Sequence, residues 1–207
     1  MNWKEFLTDK KKQKELIITI PLLAAILIIF PQFLQFVEAR SGVVFTDPIL
    51  ALFSPIDLTW LTFGLIYLSI VVSLFSLARK PERLLFGFQC YGLMVLFRLI
   101  VMYLLPLEPP ATLVPLNDPF VQLLGTVEIL TKDLFFSVHT ATLLLLFLIV
   151  EKRVFKIILL TSTIIVGITV LLQHVHYTVD VAVAPFVAYT SYKIIYVLKN
   201  KLYSNTI

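Results

Sequence analysis

The chain has 207 residues, 59% of them hydrophobic and 14% charged, with a net charge of +4 and a mean hydropathy of +0.94. That balance excludes a soluble globular protein and points to an integral membrane protein. A single cysteine, Cys90, sits inside an apolar run, so an intrachain disulfide is excluded as well.

A spanning helix needs roughly 20 mostly apolar residues to cross about 30 Å of hydrocarbon. Six stretches qualify: Leu16 to Val37, Leu58 to Ala78, Leu84 to Leu105, Leu134 to Val150, Val154 to Gln173, and Tyr177 to Leu198. Lipid cannot satisfy backbone polar groups, so all six are expected to be helices, with Pro21, Pro31 and Pro185 kinking or thinning theirs. The first stretch follows Lys10, Lys11, Lys12 and Lys14, precedes Glu38 and Arg40, and lacks a small-residue cleavage pattern. It reads as a retained anchor. The amino-terminal segment, the second connection (Arg79, Lys80, Arg83), the fourth (Lys152, Arg153, Lys156) and the tail (Lys199, Lys201) are basic. The first, third and fifth connections hold only Arg40 and Lys132, which places both termini on the cytoplasmic side. The third connection, Pro106 to Lys132, is proline-rich and carries Glu108, Asp118 and Glu128. At that length it is expected to be functional, with a helical cover over Phe120 to Leu130. The expected fold is an all-α six-helix membrane bundle, with residues 1–207 forming one membrane-embedded domain.

Polar residues are scarce in such a chain, and they gather at two segment ends. One reads Asp133-Leu-Phe-Phe-Ser137-Val-His139-Thr140; the other reads His174-Val-His176-Tyr177-Thr178-Val-Asp180. All three histidines are there, on the membrane face opposite the termini. Ionisable groups in membrane segments are functional-site candidates by default. His176 and Asp180 are four apart, on one helix face, so the carboxylate can orient the ring. An imidazole held in this way is a nucleophile or base, and a second imidazole can donate a proton. That set suits displacement at phosphorus or at an acyl carbon, and no Gly-x-Ser-x-Gly elbow favours an acyl-serine route. Plainer roles stand beside these. Asp133 or Ser137 can cap a helix, Arg98 can anchor to head groups, and Tyr103 and Tyr177 can be interfacial-belt residues. Histidines two apart on a helix diverge, which disfavours a shared metal, and none is expected. A small proton-coupled transporter is the alternative outside enzymes, but no inverted repeat or mid-helix charge pair supports it.

The stretch Arg98-Leu-Ile-Val-Met-Tyr103-Leu-Leu-Pro106, with Asp133-x3-Ser137-x-His139-Thr140 and His174-x-His176-Tyr177-Thr178-x-Asp180-Val181, resembles the sphingomyelin synthase family. That family is a branch of the type-2 phosphatidate phosphatase superfamily, and the resemblance covers about Arg98 to Tyr192. It implies a six-helix enzyme in which His176 attacks phosphorus to form a phosphohistidine, Asp180 orients His176, and His139 protonates the departing alcohol. Arg98, Tyr103, Lys132, Asp133, Ser137, His174 and Tyr177 are the accompanying substrate-binding candidates. Three positions depart from the family pattern. Thr131-Lys132-Asp133 stands for Cys-Gly-Asp, Ser137-Val138-His139 for Ser-Gly-His, and Val175 for an acidic residue between the paired histidines. The implied reaction moves a phospho-head group from a glycerophospholipid to a lipid alcohol of the ceramide or diacylglycerol type, or to water. A lipid phosphate monoesterase is the alternative within the superfamily, but few cations are available to hold a dianion. No cofactor is expected. The expected partners are membrane lipids and not nucleic acid, with homo-oligomers allowed. The expected site is the bacterial inner membrane, or the Golgi or plasma membrane of a eukaryote, with the active site on the non-cytoplasmic face.

Overall fold

The computed structural model describes residues 2–118 and 130–204. They form α1 (Trp3–Thr8), α2 (Lys10–Glu38), a 3-10 turn (Leu50–Leu52), α3 (Thr59–Leu77), α4 (Pro81–Leu104), α5 (Val138–Ile149), α6 (Arg153–Leu172) and α7 (Thr178–Ser204). Among the described residues five helices, α2, α3, α4, α6 and α7, are long and apolar enough to cross a membrane. The expected cover over Phe120 to Leu130 and the acid Glu128 lie outside the described residues, save Leu130 itself.

The expected span from Leu134 to Val150 is corrected at its front. α5 has 12 residues, about 18 Å at 1.5 Å per residue, and Leu134 to Ser137 precede it without helical geometry. The carbonyls explain this. Arg98 Nη2 donates to the Asp133 carbonyl at 3.0 Å and Nη1 donates to that of Phe136, so a side chain takes acceptors that a helix would need. Ser137 then caps α5, its hydroxyl accepting from the Thr140 amide at 3.4 Å. The first span is longer than expected, because Asp9 accepts from the amides of Lys11 (2.8 Å) and Lys12 (3.3 Å) and starts the helix ahead of the apolar run. Hydropathy marks the hydrocarbon boundary, whereas the cap marks the helix. α2 runs unbroken through Pro21 and Pro31, as α7 does through Pro185.

α5 is the centre of the bundle and packs on α3, α4, α6 and α7. Ala141 of α5 and Ala184 and Ala188 of α7 are wholly buried in one cluster with Cys90, Met94 and Leu145. Small side chains there let the backbones approach, and van der Waals contact is what holds helices together in lipid. Gly167 serves the same end on α6, since a Cβ there would lie 3.3 Å from Val181. α2 is a peripheral wall: it rests on α4, and only 6% of its apolar window is buried.

Basic residues crowd one end of the bundle, and carboxylates latch the helices there. Glu151 of the α5–α6 link pairs with Lys80 of the α3–α4 link and with Arg83 in the first turn of α4. Lys12 of α2 reaches Glu82 at 3.2 Å, and Lys199 of α7 reaches Glu15 at 3.0 Å, so both described chain ends share this face. At the other end the connections tie to one another. Val43 donates to the Pro106 carbonyl at 2.9 Å and accepts from the Glu108 amide at 3.0 Å.

Gly42 lies against this seam, where an added Cβ would stand 2.6 Å from the Leu107 carbonyl carbon. Gly42→Ala is expected to cost about 1–3 kcal/mol through overpacking against backbone that cannot yield. Gly64→Ala, with nothing within 4 Å of its Cβ, is expected to be neutral or slightly stabilising. Thermal unfolding in detergent compares the two.

Candidate active site

The end of α6 aims the first functional side chains. Gln173 is the C-cap and His174 follows with φ 54°, in the left-handed region. The His174 amide donates to the Leu171 carbonyl at 2.9 Å and the Val175 amide to that of Val170 at 3.0 Å. This pair of bonds is the Schellman closure, and Val175 packs in the cluster containing Val170, as that motif prefers. The chain therefore reverses within three residues and delivers His176 to the start of α7.

Asp180 serves two groups there. Its Oδ2 accepts from the Tyr177 amide at 3.1 Å, as an acid in the first turn of a helix does in a capping box, and lies 3.3 Å from His176 Nδ1. With Asp180 ionised, Nδ1 carries the proton and Nε2 keeps its lone pair. Among the described residues Nε2 has no hydrogen-bond partner, and His176 lines a cavity of about 470 Å³. His139, in the first turn of α5, lines the same cavity, and the two rings are 6.0 Å apart between centroids. Its Nδ1 is also without a partner among the described residues, and Phe63 meets the ring edge-on at 6.2 Å. The cap of α5 is tied to α7, since the Ser137 amide donates to the Asp180 carbonyl at 3.1 Å, so the two imidazoles are held in one frame.

Of the ten candidate residues, Asp133, His139 and His176 line the cavity, with Asp180 directly behind His176. The other six are placed elsewhere. Arg98 is wholly buried and spends its fork on Asp133 Oδ1 (3.0 Å from Nε, 2.5 Å from Nη2) and on the carbonyls of Asp133 and Phe136. Lys132 Nζ donates to Glu108 (2.9 Å) and to the Arg40 carbonyl (2.7 Å), which ties the first connection to the third. Tyr103 is 57% exposed, stacks on Phe36 and lies under the Arg40 guanidinium, away from the cavity. Ser137 is a cap. Tyr177 is buried, its hydroxyl donating to the Glu108 carbonyl at 2.9 Å and accepting from the Phe45 amide at 3.3 Å. His174 faces a smaller cavity on the other side of the turn, where Nδ1 meets the Thr112 hydroxyl at 2.5 Å and burial pushes its pKa down. Among the described residues no group of three His, Cys, Asp or Glu side chains is placed to hold a metal.

Asp118 joins the cavity lining although the sequence reading had not assigned it there, and Tyr67 and Gln173 brace the segments around it. Asp118 lines the cavity and accepts from the Tyr67 hydroxyl, at 2.5 and 2.7 Å to its two oxygens. Gln173 is wholly buried and spans three elements: it donates to Thr59 Oγ1 at 2.9 Å, accepts from the Leu58 amide at 3.2 Å, and its carbonyl accepts from Val114 at 3.1 Å. A glutamine closing an apolar stretch beside two histidines was the available signal. Asp118 and Tyr67 are 51 positions apart, so nothing local links them.

Residues 132–198 match the family model described as PAP2 superfamily C-terminal. No curated protein and no solved structure matches the chain. The matched stretch holds all three histidines, Asp133 and Asp180, and it supports the PAP2 superfamily, whose members are generally phosphatases and phosphotransferases. Arg98 and Tyr103 fall before it.

Asp47 fixes the start of α7 from outside, accepting from the Thr178 amide at 2.6 Å and its hydroxyl at 3.1 Å. Burial raises its pKa, but these bonds and those from the Ile49 and Leu50 amides outweigh it and hold the carboxyl below its ordinary 3.8. A depressed folded pKa gives stability that is present above 3.8 and lost as pH falls through the folded value beneath it. Melting temperature is therefore expected to drop on acidification below that point, and Asp47→Asn is expected to melt lower at neutral pH with a shallower acid slope.

Proposed function

We propose that this protein is a membrane phosphotransferase or phosphodiesterase of the sphingomyelin synthase type, moving a phospho-head group from a glycerophospholipid through a phosphohistidine on His176. The observation that carries this reading is the pairing across one cavity of His176, with Nε2 free and Nδ1 on Asp180, and His139. Nε2 forms a bond to phosphorus as the bond from phosphorus to the glycerol oxygen breaks, and protonated His139 supplies the proton to that oxygen. The acceptor hydroxyl then returns a proton to His139 and attacks phosphorus, and the bond to Nε2 breaks. The acceptor is a ceramide- or diacylglycerol-type alcohol, or water.

Charge supports a diester over a monoester. Arg98 is committed to Asp133 and Lys132 to Glu108, and the described cavity lining has two carboxylates, Asp118 and Asp133, with no lysine or arginine. A dianion would find no lysine or arginine among the described lining residues to hold its second charge, whereas a diester carries one. The basic end of the bundle is assigned to the cytoplasm, which puts the cavity on the non-cytoplasmic face of a bacterial inner membrane or of a Golgi or plasma membrane.

Reconstituted protein given a head-group-labelled phospholipid is expected to yield a new labelled lipid when ceramide is added, read by chromatography. Release of phosphate from monoesters, with diesters untouched, would assign a phosphatase instead. His176→Ala is expected to lose at least about 10³-fold in turnover, and adding Asp180→Asn is expected to do little more, because residues acting as a unit are not additive. His139→Ala is expected to be slow with natural lipids yet spared with a nitrophenyl leaving group, which needs no proton, and to accumulate phosphate on His176. Equal damage with both leaving groups would remove His139 from the acid role.

A further inference from the structure

A second cavity, of about 330 Å³, lies inside the bundle toward the basic end, and no charged side chain lines it. Its walls on α2, α3 and α5 continue the helix faces that wall the histidine cavity, and α4 supplies a further wall. On α2, Phe30 and Leu34 face the upper cavity and Leu27 and Leu23 the lower, a spacing of three and four residues that keeps one stripe. On α3 the stripe passes from Phe63 to Ile70, Leu74 and Leu77. On α5 it passes from His139 to Thr142, Leu146 and Ile149. α2 rests on α4 and α3 on α6, so α2 and α3 stand apart along this line. The descent from His139 to Ile149 is about 15 Å at 1.5 Å per residue.

We propose that this groove holds one acyl chain of the lipid whose phosphate reacts at His176, and that Leu77, Leu84 and Ile149 form a floor that sets the preferred chain length. At about 330 Å³ the groove is too small for a partner helix, which is about 10–12 Å in diameter. It is apolar throughout except for the hydroxyls of Ser73, Tyr91 and Thr142, and the stripes on α2, α3 and α5 lead from it toward the histidine cavity, the direction that the tail of a molecule held there must take. Removing such a chain from water is the main gain in holding it. The proposal rests on the lipid-phosphate reading for what lies at its upper end.

A binding experiment separates the two. His176→Ala protein in phosphatidylcholine vesicles is given a phospholipid with a photoactivatable diazirine, either at the chain terminus or next to the glycerol, and labelled residues are mapped by mass spectrometry. The terminal probe is expected to label Leu77, Leu84 and Ile149, and the proximal probe Phe30 and Phe63. Ser73→Phe, which fills the groove, is expected to lose the floor labels. Ile149→Ala, which deepens it, is expected to keep them and, in the active protein, to move the chain-length optimum upward. Labelling confined to lipid-facing residues such as Leu68, Val71 and Phe75 with both probes, or floor labels unchanged in Ser73→Phe, would overturn the groove. Floor labelling in a protein that turns over no phospholipid supports the groove and overturns the reaction.

Discussion

A guanidinium with no solvent exposure sits beside the reaction cavity, and much of the site follows from how Arg98 is matched. Burying such a charge is tolerable only when a partner and further acceptors surround it, and removing the partner costs about 3–5 kcal/mol. Asp133 is the partner, and the carbonyls of Asp133 and Phe136 are the acceptors. With those carbonyls turned to Arg98, Leu134 to Ser137 run without helical geometry, Ser137 is the cap, and His139 falls in the first turn of α5. An arginine that reads as a phosphate ligand is placed here as the support of the segment that leads to His139.

A second economy lies at the start of α7. One carboxylate oxygen of Asp180 both closes the helix and holds His176, so helix start and ring orientation are the same event. The Schellman turn before it separates His174 from His176 and sends them to different cavities. The two histidines that look equivalent in the motif are thus chemically distinct. Only one of them meets His139.

Hydropathy located every long helix, because lipid leaves the backbone no other choice, and the sorting of lysine and arginine anticipated that both described chain ends share a face. The His176 and Asp180 contact was legible because it is local, four residues on one turn. Partnerships between distant segments were not. Arg98 with Asp133, Lys132 with Glu108, and Tyr67 with Asp118 are 35, 24 and 51 residues apart, and a residue type does not name its partner at such a distance. Tyr103 fails for a related reason: its helix was expected, but the face it presents depends on where α2 comes to rest.

The brevity of α5 bears on how deep the chemistry takes place. A helix of about 18 Å rising from the basic end stops on the order of 10 Å short of the far edge of a 30 Å hydrocarbon layer. His139, at its upper end, is therefore sunk below the plane in which phosphates ordinarily float. On the proposed reaction the head group has to be lowered into the bundle to reach His139, like a plumb line whose weight is the tail.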